Sequence, residues 1–306
     1  MSHSPAMLLF DVAETARLTP YPELVDALAT AVVDYTEGRI ASPERLVVPL
    51  NDGGVLLSMP ATAPDLAIHK LVNVCPRNRE RGLPTIHGQV MAIEPDTGET
   101  LFMLDGPTVT GRRTAAMTML GVRTLSRAAP RDVLLIGTGT QAVNHLEALG
   151  ELYPDALVRV RGSAPARAQA FCAQHAAKVR RLQPLDGGEA VPDSVDLVIT
   201  LTTSRTPVYD EAPRTGRLVV GVGAFKPDMA EIGARTLHGS AVFVDDPAGA
   251  KHEAGDLIQA GVDWEKVAGI AAAVYDDSKA RLFKTVGCAA WDLATCRLAR
   301  DLHHRR

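Results

Sequence analysis

The 306-residue sequence predicts an α/β protein with a parallel-sheet domain and a strand-rich α+β domain. Three observations predict it. An apolar run, Val133–Ile136, passes through the glycine turn Gly137-Thr138-Gly139 directly into a helical pattern. Strand-like runs follow at 157–161, 195–201, 217–222 and 241–244, separated by helical or loop stretches, as in a parallel sheet covered on both faces. The first hundred residues carry instead short alternating runs joined by tight turns, the pattern of a meander. Domains are expected at 1–112, with 286–306 packing back, and at 113–285.

In chain order, apolar positions from Asp11 to Glu37 suggest two helices parted by Thr19-Pro20-Tyr21-Pro22. Strands are expected at Arg45–Pro49 and, past the Gly53-Gly54 hairpin, at Val55–Met59. Further strands fall at Ala67–Val74, Gly88–Ile93 and Thr100–Leu104, with Asp96-Thr97-Gly98 turning the last pair. A long helix is expected from Gly111 to about Ala128, capped by Thr110, and a last one over Leu282–Leu302.

Composition narrows the function classes. A formal charge of −4 gives no basic field for nucleic acid or an anionic membrane. Hydrophobic residues reach 46%, yet no apolar run approaches the ~20 residues of a membrane span. Met1–Phe10 lacks the basic-then-apolar pattern of a signal peptide. Cys75, Cys172, Cys288 and Cys296 have no CxxC spacing, which argues against a zinc site or a disulfide framework and fits a reducing cytoplasm.

The glycine turn is a dinucleotide signature. Gly137 allows the sharp turn, Gly139 lets backbone approach a pyrophosphate, and Ala142 permits close helix–strand packing. Thr138, Thr140 and Gln141 complete the loop, and the helix N-terminus favours the phosphates. This makes the second half a Rossmann-type domain. An NAD site places an acid at the end of the second strand, but Ala156–Arg161 ends in Gly162-Ser163 without one. Arg161, Ser163 and Arg167 could instead surround a 2′-phosphate, which favours NADPH, with NADH open; Arg159 reads as a solvated surface residue.

Upstream, Arg45 opens a strand, Arg113 begins the long helix, and Lys70 interrupts Ile68-His69-Lys70-Leu71-Val72. Alternation half-buries that strand, and a buried cation needs a partner such as a substrate carboxylate.

With these residues in view, the chain resembles the ornithine cyclodeaminase/μ-crystallin family over nearly its full length. The resemblance rests on Arg45-Leu46-Val47-Val48-Pro49, Met59-Pro60, Lys70-Leu71-Val72, Met103-Leu104-Asp105-Gly106, Thr110–Ala116, Gly137–Gln141, Val222-Gly223-Ala224 and Phe283–Gly287, in that order. It implies a homodimer joined through the strand-rich domain, and Arg45, Lys70 and Arg113 holding the carboxylate of a small imino or amino acid. Arg112 stands one step round the helix and is not given that role. Thr202, Val222 and Gly223 complete the expected cofactor set.

The family includes cyclodeaminases, alanine dehydrogenases and ketimine reductases. Cyclodeaminases carry an aspartate where this sequence has Phe225, which accepts no proton; Asp228 reads as structural. The resemblance therefore implies a ketimine reductase that reduces Δ1-pyrroline-2-carboxylate and Δ1-piperideine-2-carboxylate to L-proline and L-pipecolate. The alternatives are an ornithine cyclodeaminase and a non-catalytic, crystallin-like NADPH binder. Lys70, His87 and Arg113 form the expected catalytic set, and no metal is expected. The proton source is open between His87, Lys70 and solvent, and Asp105 reads as a turn residue.

Overall fold

The computed structural model describes residues 7–305, so most of the reading of Met1–Phe10 lies outside the described residues. The first elements are β1 (Leu8–Leu9), α1 (Val12–Arg17), α2 (Tyr21–Thr36), β2 (Leu46–Pro49), β3 (Val55–Ala63), β4 (Leu66–Val74), β5 (Ile86–Ile93), β6 (Thr100–Asp105) and α3 (Gly106–Leu125). Then come β7 (Asp132–Ile136), α4 (Thr140–Leu152), β8 (Leu157–Arg161), α5 (Pro165–His175), β9 (Arg181–Pro184), β10 (Leu197–Thr200) and β11 (Leu218–Gly221). The chain closes with α6 (Ala234–His238), β12 (Ser240–Val244), α7 (Pro247–Glu253), α8 (Gly255–Ala260), β13 (Ala268–Gly269), β14 (Ala280–Lys284) and α9 (Ala289–His304). It divides into two compact units, Met1–Arg113 with Cys288–Arg306, and Thr114–Gly287.

The first unit is a six-stranded sheet in the order β1-β6-β5-β4-β3-β2, antiparallel apart from the β1/β6 pair. Asp11 and Glu14 form a capping box that starts α1. α9 lies on β3, β4 and α2. Leu18, Tyr21, Leu24, Leu28, Ile68, Leu104 and Trp291 are fully buried, and each large apolar side chain so placed contributes roughly 1.5–3 kcal/mol.

In the second unit all eight strands run parallel, in the order β13-β12-β14-β11-β10-β7-β8-β9. Every residue of β7, β10, β11 and β14 is buried, which is why β7, β10 and β11 read as largely apolar runs rather than alternation. Strand order reverses between β7 and β10, and a crevice at such a switch point is where an open parallel sheet takes its ligand.

Two expectations are corrected. The long helix starts at Gly106, not Gly111: Asp105 accepts a hydrogen bond from Thr108 N (2.8 Å) and takes the cap position, so Thr110 lies within the helix. The expected terminal helix over Leu282–Leu302 is in fact strand β14 followed by α9. Lys284 mimics the solvated face of a helix in sequence, but it is fully buried in the strand.

Candidate active site

Strand alternation places Lys70 on the buried face of β4 with Ile68 and Val72. Its side chain is 2% exposed, and Nζ donates to both oxygens of Asp292 at 3.0 and 3.2 Å. Asp292 sits fully buried in the first turn of α9, where the helix dipole favours an acid. Arg113, in α3, brings Nε within 3.4 Å of the same carboxylate, and that buried Nε makes no hydrogen bond. Burial pushes the Lys70 pKa down to about 8; Asp292 opposes the shift, and the charges of Arg113 and Arg45 add to it. Arg45, half-buried, immediately precedes β2. One turn on from Asp292, burial and the Asp292 charge push the Cys296 thiol up, so it stays protonated.

The structure thus brings Lys70 and Arg113 together around Asp292, with Arg45 close enough for its charge to act on Lys70. His87 does not join them. It pairs with Asn73 in the β4/β5 register while Lys70 pairs with Val90, so the odd spacing puts His87 on the opposite face, where it is exposed. Arg112 turns away to stack over Tyr21 at 4.0 Å and donates to Thr19 O.

The sequence reading missed Asp292. The available signal was a single acid in the apolar run Ala289-Ala290-Trp291-Asp292-Leu293-Ala294, the counterpart of a single lysine in an apolar strand.

In the second unit, Gly137 has φ +131°, and a Cβ there would stand 2.6 Å from Leu201 O. Gly139 begins α4 with no side chain capping it and with no atom within 4 Å of where its Cβ would be. Gln141 Oε1 is buried without a partner, and Ala142 is fully buried against the sheet. An uncapped helix start and open space over a glycine fit a dinucleotide's pyrophosphate. Below, His145 Nδ1–H donates to Gln141 O (2.8 Å), which leaves Nε2 to accept from Thr118 Oγ1 (2.9 Å). Burial lowers the His145 pKa to about 4 and keeps the ring neutral.

Thr202, Val222 and Gly223 follow β10 and β11, and Gly223 lies directly against the Thr202 backbone. β8 ends with no acid. Arg161 donates to Glu189 O (2.7 Å), while Ser163 and Arg167 are exposed at the start of α5. Arg159 is not a solvated residue: it pairs with Asp132 through Nε (2.8 Å) and a second nitrogen (3.0 Å). Phe225 is 38% exposed, and Asp228 makes a surface ion pair with Arg205.

A family model described as "Ornithine cyclodeaminase/mu-crystallin family" matches residues 6–305. The chain belongs to that family. It is 63% identical over 296 residues to "Delta(1)-pyrroline-2-carboxylate/Delta(1)-piperideine-2-carboxylate reductase" of Azospirillum brasilense, covering 96% of this chain and 95% of the relative. It is 62% identical to "Delta(1)-pyrroline-2-carboxylate reductase 2" of Burkholderia ambifaria, covering 98% and 96%. Among solved structures it is similar to the Thermococcus litoralis Δ1-pyrroline-2-carboxylate reductase in complex with NADH and L-proline, with a TM-score of 0.88, 25% identity and coverage of 97% and 98%. Among the described residues, no helix is long and apolar enough to cross a membrane.

Proposed function

We propose that this chain reduces the C=N bond of Δ1-pyrroline-2-carboxylate and Δ1-piperideine-2-carboxylate with NADPH, giving L-proline and L-pipecolate. The relatives' names support the ring chemistry. The observation that carries the substrate class is the pair of buried cations, Lys70 and Arg113, around the single carboxylate of Asp292. One acid between two cations leaves positive charge over, and a substrate carboxylate satisfies it. When bound, the nicotinamide supplies the hydride.

The chain's own residues orient the ring and manage its proton. Lys70 and Arg113, aided by Arg45, hold the carboxylate so that the neighbouring ring carbon is fixed for attack. Lys70 also keeps the ring nitrogen protonated, because a pKa of about 8 leaves it an acid that gives up its proton more readily than an ordinary lysine. His87 is exposed on the other face of the sheet, and Asp105 is engaged by Thr108, so neither takes that role. Phe225 in place of an acid supports reduction over cyclodeamination.

The acid-free end of β8, with Ser163 and Arg167 open to solvent, supports NADPH over NADH. The face of the first sheet opposite Lys70 leaves Leu9, Leu46, Val48 and Leu71 exposed, which supports pairing with a second copy of the chain. Four cysteines without a disulfide support a cytoplasmic location.

The test follows NADPH absorbance with each cyclic imine, and ammonia release from ornithine without added NADPH. Cofactor oxidation with the imines is expected. Ammonia from ornithine with no oxidation on either imine would overturn the reading.

A further inference from the structure

The reduction described above does not use Glu231, a carboxylate of the second unit that accepts four hydrogen bonds. Glu231 is fully buried. Its Oε2 accepts from Gly223 N (2.5 Å), Ala224 N (3.2 Å) and Thr200 Oγ1 (3.0 Å). Its Oε1 accepts from Thr202 N (2.5 Å). Thr200 and Thr202 lie at the end of β10, and Gly223 and Ala224 in the turn after β11, so one carboxylate ties two strand ends together. The two turns touch: a Cβ on Gly223 would stand 1.9 Å from Thr202 O and 2.8 Å from Glu231 Oε1.

Glu231 is itself held. Its backbone N–H donates to Asp256 Oδ1, Ile232 N donates to the same oxygen at 2.9 Å, and Lys284 Nζ lies 3.1 Å from Asp256 Oδ2. Burial pushes the Glu231 carboxyl upward, and the Lys284 charge and the Thr202 N–H oppose the shift. Four donors aim at its two oxygens, and the carboxylate form accepts from all of them.

We propose that Glu231 is the positioning residue for the nicotinamide half of the cofactor, acting through the turns at Thr202 and Val222–Ala224. The proposal rests on the reading of this unit as a dinucleotide-binding domain. In such a sheet the strands on each side of the reversal serve one half of the dinucleotide. The glycine turn after β7 and the end of β8 serve the pyrophosphate and adenosine. β10 and β11, on the other side, are left for the nicotinamide riboside. By drawing three backbone N–H groups beneath the surface, Glu231 fixes the outline of those turns, and without it the three donors lose their shared partner.

The test is calorimetric titration of the full chain with NADPH and with 2′-phospho-ADP-ribose, the same molecule lacking nicotinamide. NADH and ADP-ribose are run alongside, for the wild type, Glu231→Gln and Thr200→Val. A glutamine sets an amide NH2 against Thr202 N or Gly223 N, donor facing donor. Glu231→Gln is expected to weaken NADPH about tenfold and the fragment less than about twofold, with about threefold for NADPH in Thr200→Val. Should Glu231→Gln fail to fold, the same ratio in the near-isosteric Thr200→Val decides. Equal losses for cofactor and fragment, or unchanged NADPH affinity in a folded variant, would overturn the assignment while leaving the cofactor reading intact. A wild-type chain that binds neither pair would overturn both.

Discussion

Lys70 and Glu231 are both fully buried charges in a sheet protein, yet their surroundings give them opposite capacities. Lys70 shares its one acid, Asp292, with Arg113, whose Nε has no hydrogen bond. Glu231 receives four hydrogen bonds, three from backbone N–H groups and one from a hydroxyl. A charge cluster with too few counterions can still take a ligand, whereas a fully satisfied carboxylate can only hold what surrounds it. Asp245 repeats the second pattern, accepting from Thr285 Oγ1, Val286 N and Gly287 N. On the proposed reading, the first unit offers side-chain charge to a substrate. The second uses buried acids to set its turns and leaves the backbone around Gly139 open.

Removing Asp292 should produce the largest effect. Asp292→Ala leaves two buried cations without a counterion, at a cost of about 3–5 kcal/mol, so the melting temperature should fall by about 10 °C. A variant that melts like the wild type would mean that the cations do not depend on this acid. Next, Arg113→Ala should lower kcat/KM for the cyclic imine about 100-fold, mostly through KM, and leave the Kd for NADPH unchanged. Steady-state kinetics paired with cofactor titration separates the two units in one experiment; loss of cofactor affinity would dissolve the distinction between them.

The third prediction concerns pH. Lys70, with a pKa near 8, is charged below that value and loses its charge above it, so kcat/KM should fall as pH rises through about 8. The Asp292 charge holds that pKa up. Asp292→Asn should therefore move the fall to lower pH, and a shift to higher pH would contradict the pairing. The smallest effect is expected at Arg167, which is exposed: Arg167→Ala should reduce the NADPH-over-NADH preference about fivefold without changing the imine KM.

What the sequence disclosed follows from how local each signal is. The glycine turn, its strand and its helix are contiguous, so their geometry can be read from a dozen residues. Lys70 stood out because it broke the alternation of its own strand. Its partner Asp292 lies 222 residues away, and no local pattern links the two. β14 was hidden for a related reason: Lys284 is buried and pairs with Asp256 in three dimensions, where periodicity reads a solvated helix face. His87 was drawn in by its nearness in sequence to the Lys70 strand, but an odd register offset turned it to the other face.

The most direct test of the central claim, that Lys70 and Arg113 await a carboxylate, compares L-proline with L-prolinamide as inhibitors of imine reduction. The two differ only in replacing the carboxylate by a neutral amide. Competitive inhibition by L-proline, with L-prolinamide at least about 100-fold weaker, is the predicted result. Equal inhibition by the two would contradict the account.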